Sequence, residues 1–429
     1  MASIRSIVSL LAFLVQALGA ILLIYISQKL YDAVYVNKII LAVTVGGIVS
    51  MFDFGLKTVY QRILPTSVMW AGALKHTFVL IILFFLVITL LLRTIFGINF
   101  LDEISFIFRT LFYFNTTRLL VERKIVLEKL LRILAASLQV LVFFLLLKHG
   151  KINDALFYSN IVYLFFSLGA VSSGEKFSLI MCGRAVKKYF SSIREYMVNL
   201  FPAYFLLPLP IMLLEHYMPV NDFIALGYVY NVFNGALAVS TIPTSALVAH
   251  YVVITKESSF FKMLRMNQRI STSLFLYVYI GGICFLRLIN PEITFDSFLL
   301  LTVGLLGIFE SNQKPWMFSK IQNGVMGYPK YFMLSVGLQS FALLFLRTSH
   351  VSSAIVIAVL IQIVIVDIVM IYIKSGLSLN LSYGYIFLFI LAFDDNRLFY
   401  LGLVIAMIFV FEKLRLFYAN EYYNPGDFS

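Results

Sequence analysis

The chain has 429 residues, 61% of them hydrophobic and only 13% charged, with a mean hydropathy of +0.94 and a formal net charge of +12. Soluble domains carry about 25% charged residues, so this balance excludes a soluble globular protein. The apolar runs are continuous rather than alternating, which excludes a transmembrane β-barrel, and the basic excess has no soluble module in which to read nucleic acid.

A hydrocarbon core of about 30 Å takes roughly 20 apolar residues to cross as a helix. In chain order, spans are predicted near 6–27, 38–56, 77–98, 104–121, 131–147, 152–174 and 196–214, then 223–251, 270–289, 295–318, 331–346, 352–373, 380–393 and 398–412. The first run, Ile7–Ile26 behind Arg5, is longer than the apolar core of a signal peptide and reads as a retained helix. The last two are short, and either cross separately or form one re-entrant hairpin. The expected fold is all-α and polytopic, with 12–14 transmembrane helices in two six-helix lobes around a central cavity. Residues 1–195 form the N-terminal lobe and 196–374 the C-terminal lobe, while 375–429 supply an added helical pair and a short tail. The division falls at the basic loop Cys182–Glu195, and the plan is that of transporters built from repeats.

Charge sets the orientation. Cytoplasmic loops of membrane proteins collect Lys and Arg. With the N-terminus inside, alternate loops hold 24 of the 33 basic residues, in clusters such as Arg118–Arg132, Lys176–Arg194 and Lys256–Arg269. The intervening loops hold Lys29, Lys38, Arg93, Lys148, Lys151, Arg287, Arg347 and Arg397. This alternation predicts a bacterial inner-membrane protein with both termini cytoplasmic. Cys182 and Cys284 are isolated, and His76, His149, His216, His250 and His350 show no ligand spacing, so neither a disulfide framework, a metal site nor a cofactor follows.

Span two ends Met51-Phe52-Asp53-Phe54-Gly55-Leu56-Lys57, followed by Arg62. Asp53, Gly55, Leu56 and Arg62 resemble the signature closing the second helix of polysaccharide flippases, in the polysaccharide-transporter branch of the multidrug/oligosaccharidyl-lipid/polysaccharide exporter superfamily. The 6+6 layout with an optional pair is similar to that family along the whole chain. The resemblance implies translocation of an undecaprenyl-pyrophosphate-linked oligosaccharide, O-antigen or a related surface polysaccharide, from the cytoplasmic to the periplasmic leaflet. A polysaccharide polymerase machinery would take the product, membrane lipids would surround the carrier, and H+ or Na+ would energise it. Two other readings stand beside it: a polymerase of the same pathway, and a lipid II or drug exporter of the same superfamily. The outside loops are too short for a polymerase's catalytic loop, and no carboxylate pair or nucleophile constellation appears, so the chain reads as a non-enzyme.

A charge buried in a span costs about 2.5–3.5 kcal/mol or more, so it usually faces a cavity or a partner. Arg109 lies within span four, where Arg109, Tyr113 and Thr116 share one face while Asn115 and Arg118 share another. A guanidinium fork suits phosphate, so Arg109, Arg118 and Lys57 are candidate substrate contacts; outward snorkelling or structural pairing is the alternative. Span eight carries Gly227, Asn231, Asn234, Ala238, Thr241 and Ser245 on one stripe. There Asn231 and Asn234 either bind sugar hydroxyls in a wet lumen or belong to close helix packing. Asp53–Lys57 and Glu310–Lys314 are spaced for i,i+4 ion pairs, and Asp367 and Glu310 are candidates for the coupling ion. Pro202, Pro208 and Pro210 predict a broken span seven, acting as a gate or a packing kink.

Reporter fusions at Lys188, Lys262 and the C-terminus should report cytoplasm, and fusions near Asn221 and Asn290 periplasm. A periplasmic C-terminus would show that the last two spans are miscounted.

Overall fold

The computed structural model describes residues 2–49, 56–64, 67–97, 99–121, 124–169, 178–200, 208–215, 217–241, 257–291, 293, 295–322, 329–346, 351–366 and 368. Among these the regular structure is helical throughout, with no strand. The helices are α1 (Ala2–Leu30), α2 (Ala33–Val49), α3 (Leu56–Ile63), α4 (Val68–Phe96), α5 (Leu101–Ile104), α6 (Ile107–Val121), α7 (Ile125–Lys148) and α8 (Ala155–Gly169). They continue as α9 (Leu179–Leu200), α10 (Pro208–Leu214), α11 (Val220–Ser240), α12 (Glu257–Ile289), α13 (Ser297–Gln322), α14 (Pro329–Leu346) and α15 (Val351–Gln362).

Five described helical stretches are long and apolar enough to cross a membrane: Val8–Leu30, Val68–Phe96, Ile125–Lys148, Val220–Ser240 and Asn267–Ile289. Shorter apolar helices cover Ala33–Gly47, Ala155–Ser167, Met333–Leu343 and Ile355–Val366. The chain is a multi-pass membrane protein, helical in its described regular structure. Exposure along α4 agrees: Leu83, Phe84, Val87, Leu91 and Ile95 form an open apolar stripe, which is the surface that lipid covers.

The described helices divide into two compact units. One holds α1 from Leu22 and continues through α9; the other holds α1 up to Ile21 and runs from Leu209 through α15. In the first, Tyr60 and Phe78 pack on Phe114 with ring centroids 4.5 and 5.1 Å apart, joining α3, α4 and α6. In the second, α11 is buried almost all round, as befits a helix apolar on every side. Glycine makes that packing possible. A side chain on Gly235 would collide with Ala17 of α1, and one on Gly307 would enter the Phe275 ring.

Several boundaries differ from the sequence reading. The stretch 182–195, expected as a basic loop, lies inside the 22-residue helix α9. Glu128, Lys129 and Arg132, expected at a loop and span start, lie in α7, where Glu128 and Lys129 are buried. Lys75, also expected in a loop, is buried in α4. In each case the charged residues are good helix formers, and the helix continues past the apolar stretch that hydropathy detects. Pro208 opens α10, where a missing N–H costs nothing, and Pro210 lies within it. Pro202, Pro243, Ser245 and residues 369–429, with the final helical pair, lie outside the described residues.

Capping explains other ends. The Ser67 hydroxyl accepts from the Trp70 N–H to open α4, and Gly97 closes it at φ +69°, its N–H donating to the Arg93 carbonyl. Just beyond, Asp154 also adopts a left-handed backbone (φ 60°), a conformation strained for a residue with a Cβ. Its carboxylate accepts from Arg93 Nη1 and Asn99 Nδ2, both at 2.7 Å, which holds it there. Beside it the Asp102 carboxylate accepts from the Phe157 N–H at 2.9 Å and pairs with Lys38 Nζ at 3.4 Å. These contacts tie α2, α4, α5 and α8 together at one end.

Burial pushes the Asp102 carboxyl above its ordinary value of 3.8, with the Phe157 N–H and Lys38 opposing in part, and burial likewise raises Glu103. A raised folded pKa means that the folded state holds the proton more tightly. This contribution is therefore full below about pH 4 and is lost as pH rises through the folded value. Thermal unfolding in detergent from about pH 4 to 7 should show a decline of which Asp102→Asn removes a part. An unchanged slope in that variant would remove Asp102 as a contributor.

Candidate anion site on helices α6 to α8

Arg109 sits in the first turn of α6, inside the run Phe106-Ile107-Phe108-Arg109-Thr110-Leu111-Phe112. Its Nη2 donates to Gln139 Oε1 at 2.7 Å, the single amide side chain in α7. Gln139 Nε2 donates to Asn160 Oδ1 of α8 at 2.7 Å, and Asn160 Nδ2 donates to Ser105 Oγ at 2.6 Å. The Ser105 hydroxyl donates to the Asp102 carbonyl at 2.6 Å. The chain of donors therefore runs one way, from the guanidinium of α6 to the backbone of α5. Tyr163 of α8 also reaches Gln139 Oε1, at 3.4 Å.

The guanidinium is otherwise held by rings, lying 4.7 Å from the Phe106 centroid and 5.2 Å from that of Tyr163. No carboxylate among the described residues pairs with it, and its Nε is buried without a hydrogen-bond partner. Its charge is stabilised by an amide and two π faces, which neutralise nothing.

One turn along α6, the Tyr113 ring collects two more cations. Arg132 of α7 lies 4.7 Å from its centroid, and Lys57 Nζ of α3 lies 5.5 Å from it. Both arginines are close enough to act on the Tyr163 phenol. The carboxylate here is Glu128 of α7, fully buried, which pairs with Arg132 four residues on and with Lys129 at 3.1 Å. Among the described residues, four cations and the Glu128 carboxylate thus gather in this group, among aromatic and apolar walls. Such a group favours a multivalent anion, and the planar guanidinium forks suit phosphate oxygens.

Of the residues expected at a site, Lys57 lies over the Tyr113 ring, one turn along α6 from Arg109, which lies over Phe106 and Tyr163. Arg118 does not join them. It is half-buried nine residues along α6, about 13 Å up the axis and on the opposite face from Arg109. On its side of the helix, Asn115 donates to Ser167 Oγ at 2.5 Å. Leu56 is the buried first residue of α3, whereas Asp53, Gly55 and the Arg62 side chain lie outside the described residues.

The other unit holds the remaining candidates. Asn231 is buried and donates to the Gly227 carbonyl at 2.7 Å, so its N–H group serves its own helix. Asn234 is exposed and hydrogen-bonds Tyr230, which lies within electrostatic reach of Glu310. The Glu310 carboxylate accepts from Gln362 Nε2 at 2.8 Å, and Gln339 Nε2 donates to Gln362 Oε1 at 3.3 Å. Asp367 and the Lys314 side chain lie outside the described residues.

Gln139, Asn160, Tyr163, Glu128 and Arg132 were not singled out from the sequence. The Glu128–Arg132 spacing and the lone amide within α7 were the available signals. Comparison with protein-family models, curated proteins and solved structures finds no match to this chain.

Gln139→Leu removes the acceptor for Arg109 and the donor for Asn160 together. A buried polar group left unmet costs about 1–3 kcal/mol, so the variant should lose several degrees of thermal stability in detergent. Gln139→Glu keeps the acceptor and should lose less. Equal losses would show that the amide acts by its volume alone.

Proposed function

We propose that the protein is a flippase that moves an undecaprenyl-pyrophosphate-linked oligosaccharide across the bacterial inner membrane, delivering it to a surface-polysaccharide polymerase. The observation that carries this reading is the cationic group around Tyr113 and Tyr163, in which Arg109 has an amide rather than a carboxylate for a partner. A diphosphate would give Arg109 the anionic partner that Gln139 does not provide, and its paired oxygens match a guanidinium fork. Low dielectric strengthens that attraction, and Arg109 is held in place before the ligand arrives. The Asp53–Arg62 resemblance supports the same reading.

The cycle is alternating access between two lobes of a 12–14-helix protein, with both termini cytoplasmic. Lys57 and Arg109, joined by Arg132, take the diphosphate from the cytoplasmic leaflet. The sugars travel along polar faces such as that of Asn234, while the lipid tail stays in the bilayer. Glu310 and Asp367 supply carboxylates for H+ or Na+ coupling. Arg118 lies apart from the other cations and would serve an earlier encounter. No step makes or breaks a covalent bond in the substrate.

In a deletion strain, lipid-linked repeat units should form but stay on the cytoplasmic side, and surface polysaccharide should be lost. Complementation with Arg109→Ala should fail to restore display at normal protein abundance, because removing the guanidinium leaves Tyr163 on the Gln139 acceptor and strands no buried carboxylate. Arg109→Lys keeps the charge without the fork and should restore display in part. Full display from a normally expressed Arg109→Ala would remove this residue as a substrate contact. Single repeat units on the surface of the deletion strain would replace the flippase reading with the polymerase.

A further inference from the structure

Helix α9 carries its side chains in three lengthwise bands. Cys182, Ala185, Tyr189 and Ile193, spaced by three, four and four, form the band packed against the rest of the unit; all but Tyr189 are buried. Leu179, Phe190 and Met197 fall within about 20° of one line beside it and are 63%, 56% and 41% exposed. Beyond them, on the side away from the buried band, stand Arg194, Lys187, Arg184 and Lys188, all exposed. Glu195 is the only acidic residue of the helix. Among the described side chains, Ile180, at the N-terminal end, is the one exposed large apolar residue on the basic side.

Neither water nor hydrocarbon suits this surface. Water leaves the apolar band exposed, and hydrocarbon strips the water from the cations. A helix lying along the bilayer surface satisfies both, with its apolar band among the upper acyl chains and its cations at the phosphates. The neighbouring contacts mark that depth. Lys188 Nζ lies 4.4 Å over the Trp70 ring, and the Trp70 and Tyr189 centroids are 6.4 Å apart. Trp70 stands at the start of α4, a span-length helix, where Val68 and Met69 are exposed. Trp and Tyr concentrate at this interface, and a Lys stem lying along a ring keeps its ammonium at the polar edge.

We infer that α9 is an interfacial helix that recruits anionic phospholipid, holding headgroup phosphates on Arg184, Lys187 and Arg194 while Leu179, Phe190 and Met197 enter the acyl layer. Charge complementarity decides the occupant, since four cations against one carboxylate favour an anionic leaflet over a neutral one. The inference rests on the membrane location of the chain and is independent of the transport reading.

The chain has two tryptophans, so Trp316→Phe leaves Trp70 as a reporter beside α9. In nanodiscs, phosphatidylglycerol with brominated acyl chains should quench Trp70 more than the phosphatidylcholine equivalent at equal mole fraction. Arg184→Gln, Lys187→Gln and Arg194→Gln together should abolish that preference, by about five-fold in relative lipid affinity per charge removed. The three residues are exposed, so folding survives their loss. Separately, a nitroxide at Phe190→Cys, in a chain lacking Cys182 and Cys284, should be relaxed by lipid-soluble oxygen rather than by an aqueous nickel chelate. Equal quenching by the two lipids in the parent, or an unchanged preference in the triple variant, would overturn the inference. Strong relaxation by the nickel chelate would also overturn it and make a soluble partner the occupant.

Discussion

In the hydrocarbon of a bilayer there is no water to take up a backbone N–H or C=O, so each segment must bond to itself, and the helix is what remains open to it. This constraint governs side chains as well. Ser27, Thr44 and Thr89 bury their hydroxyls by donating to the carbonyl four residues back, at 2.8 Å in each case. They are satisfied inside one helix and tell its neighbours nothing. An amide has both a donor and an acceptor to place and can reach beyond its own helix. Where Gln139, Asn160 and Gln339 are buried, their bonds run to other helices or to the segment beside them.

The directed chain from Arg109 to the Asp102 carbonyl is the clearest result. Each donor polarises the next, and every link crosses between α5, α6, α7 and α8 or the turn joining the first two. It sets the depth and rotation of three packed helices relative to one another. Its starting point is a cation, and the partner is neutral. A carboxylate in the place of Gln139 would have bound the guanidinium more strongly and discharged the site. The amide instead fixes the geometry and leaves the charge, which is the property the proposed diphosphate contact requires. Glu128 tempers the neighbouring cations through Arg132 and Lys129 without reaching Arg109 among the described contacts.

Helix α9 shows where hydropathy misleads. Averaged over a window, apolar and basic bands mix, and the segment reads as a polar loop. The helical period separates them, and exposure shows which band meets the protein. The same averaging hid Glu128, Lys129 and Arg132 within α7, because charges at the end of an apolar helix look like the loop beyond it. Within the helix they become part of the cationic group instead of an orienting anchor.

The amino-acid sequence by itself determined the solvent and the secondary structure. Apolar runs of span length, with so few charges, leave only membrane helices, and this follows from composition because lipid imposes it on every residue alike. It also marked Arg109 and Lys57 as costly or well-placed cations. Tertiary structure alone decided what those cations meet. That Arg109 bonds Gln139 rather than a carboxylate, that Lys57 and Arg132 share the Tyr113 ring, and that Asn231 spends its N–H on its own helix are matters of helix rotation and depth. Rotation and depth depend on side-chain packing between segments far apart in the chain. Such packing leaves no period in the sequence: Arg109 and Gln139 stand 30 positions apart, and nothing between them carries a trace of the bond that joins them.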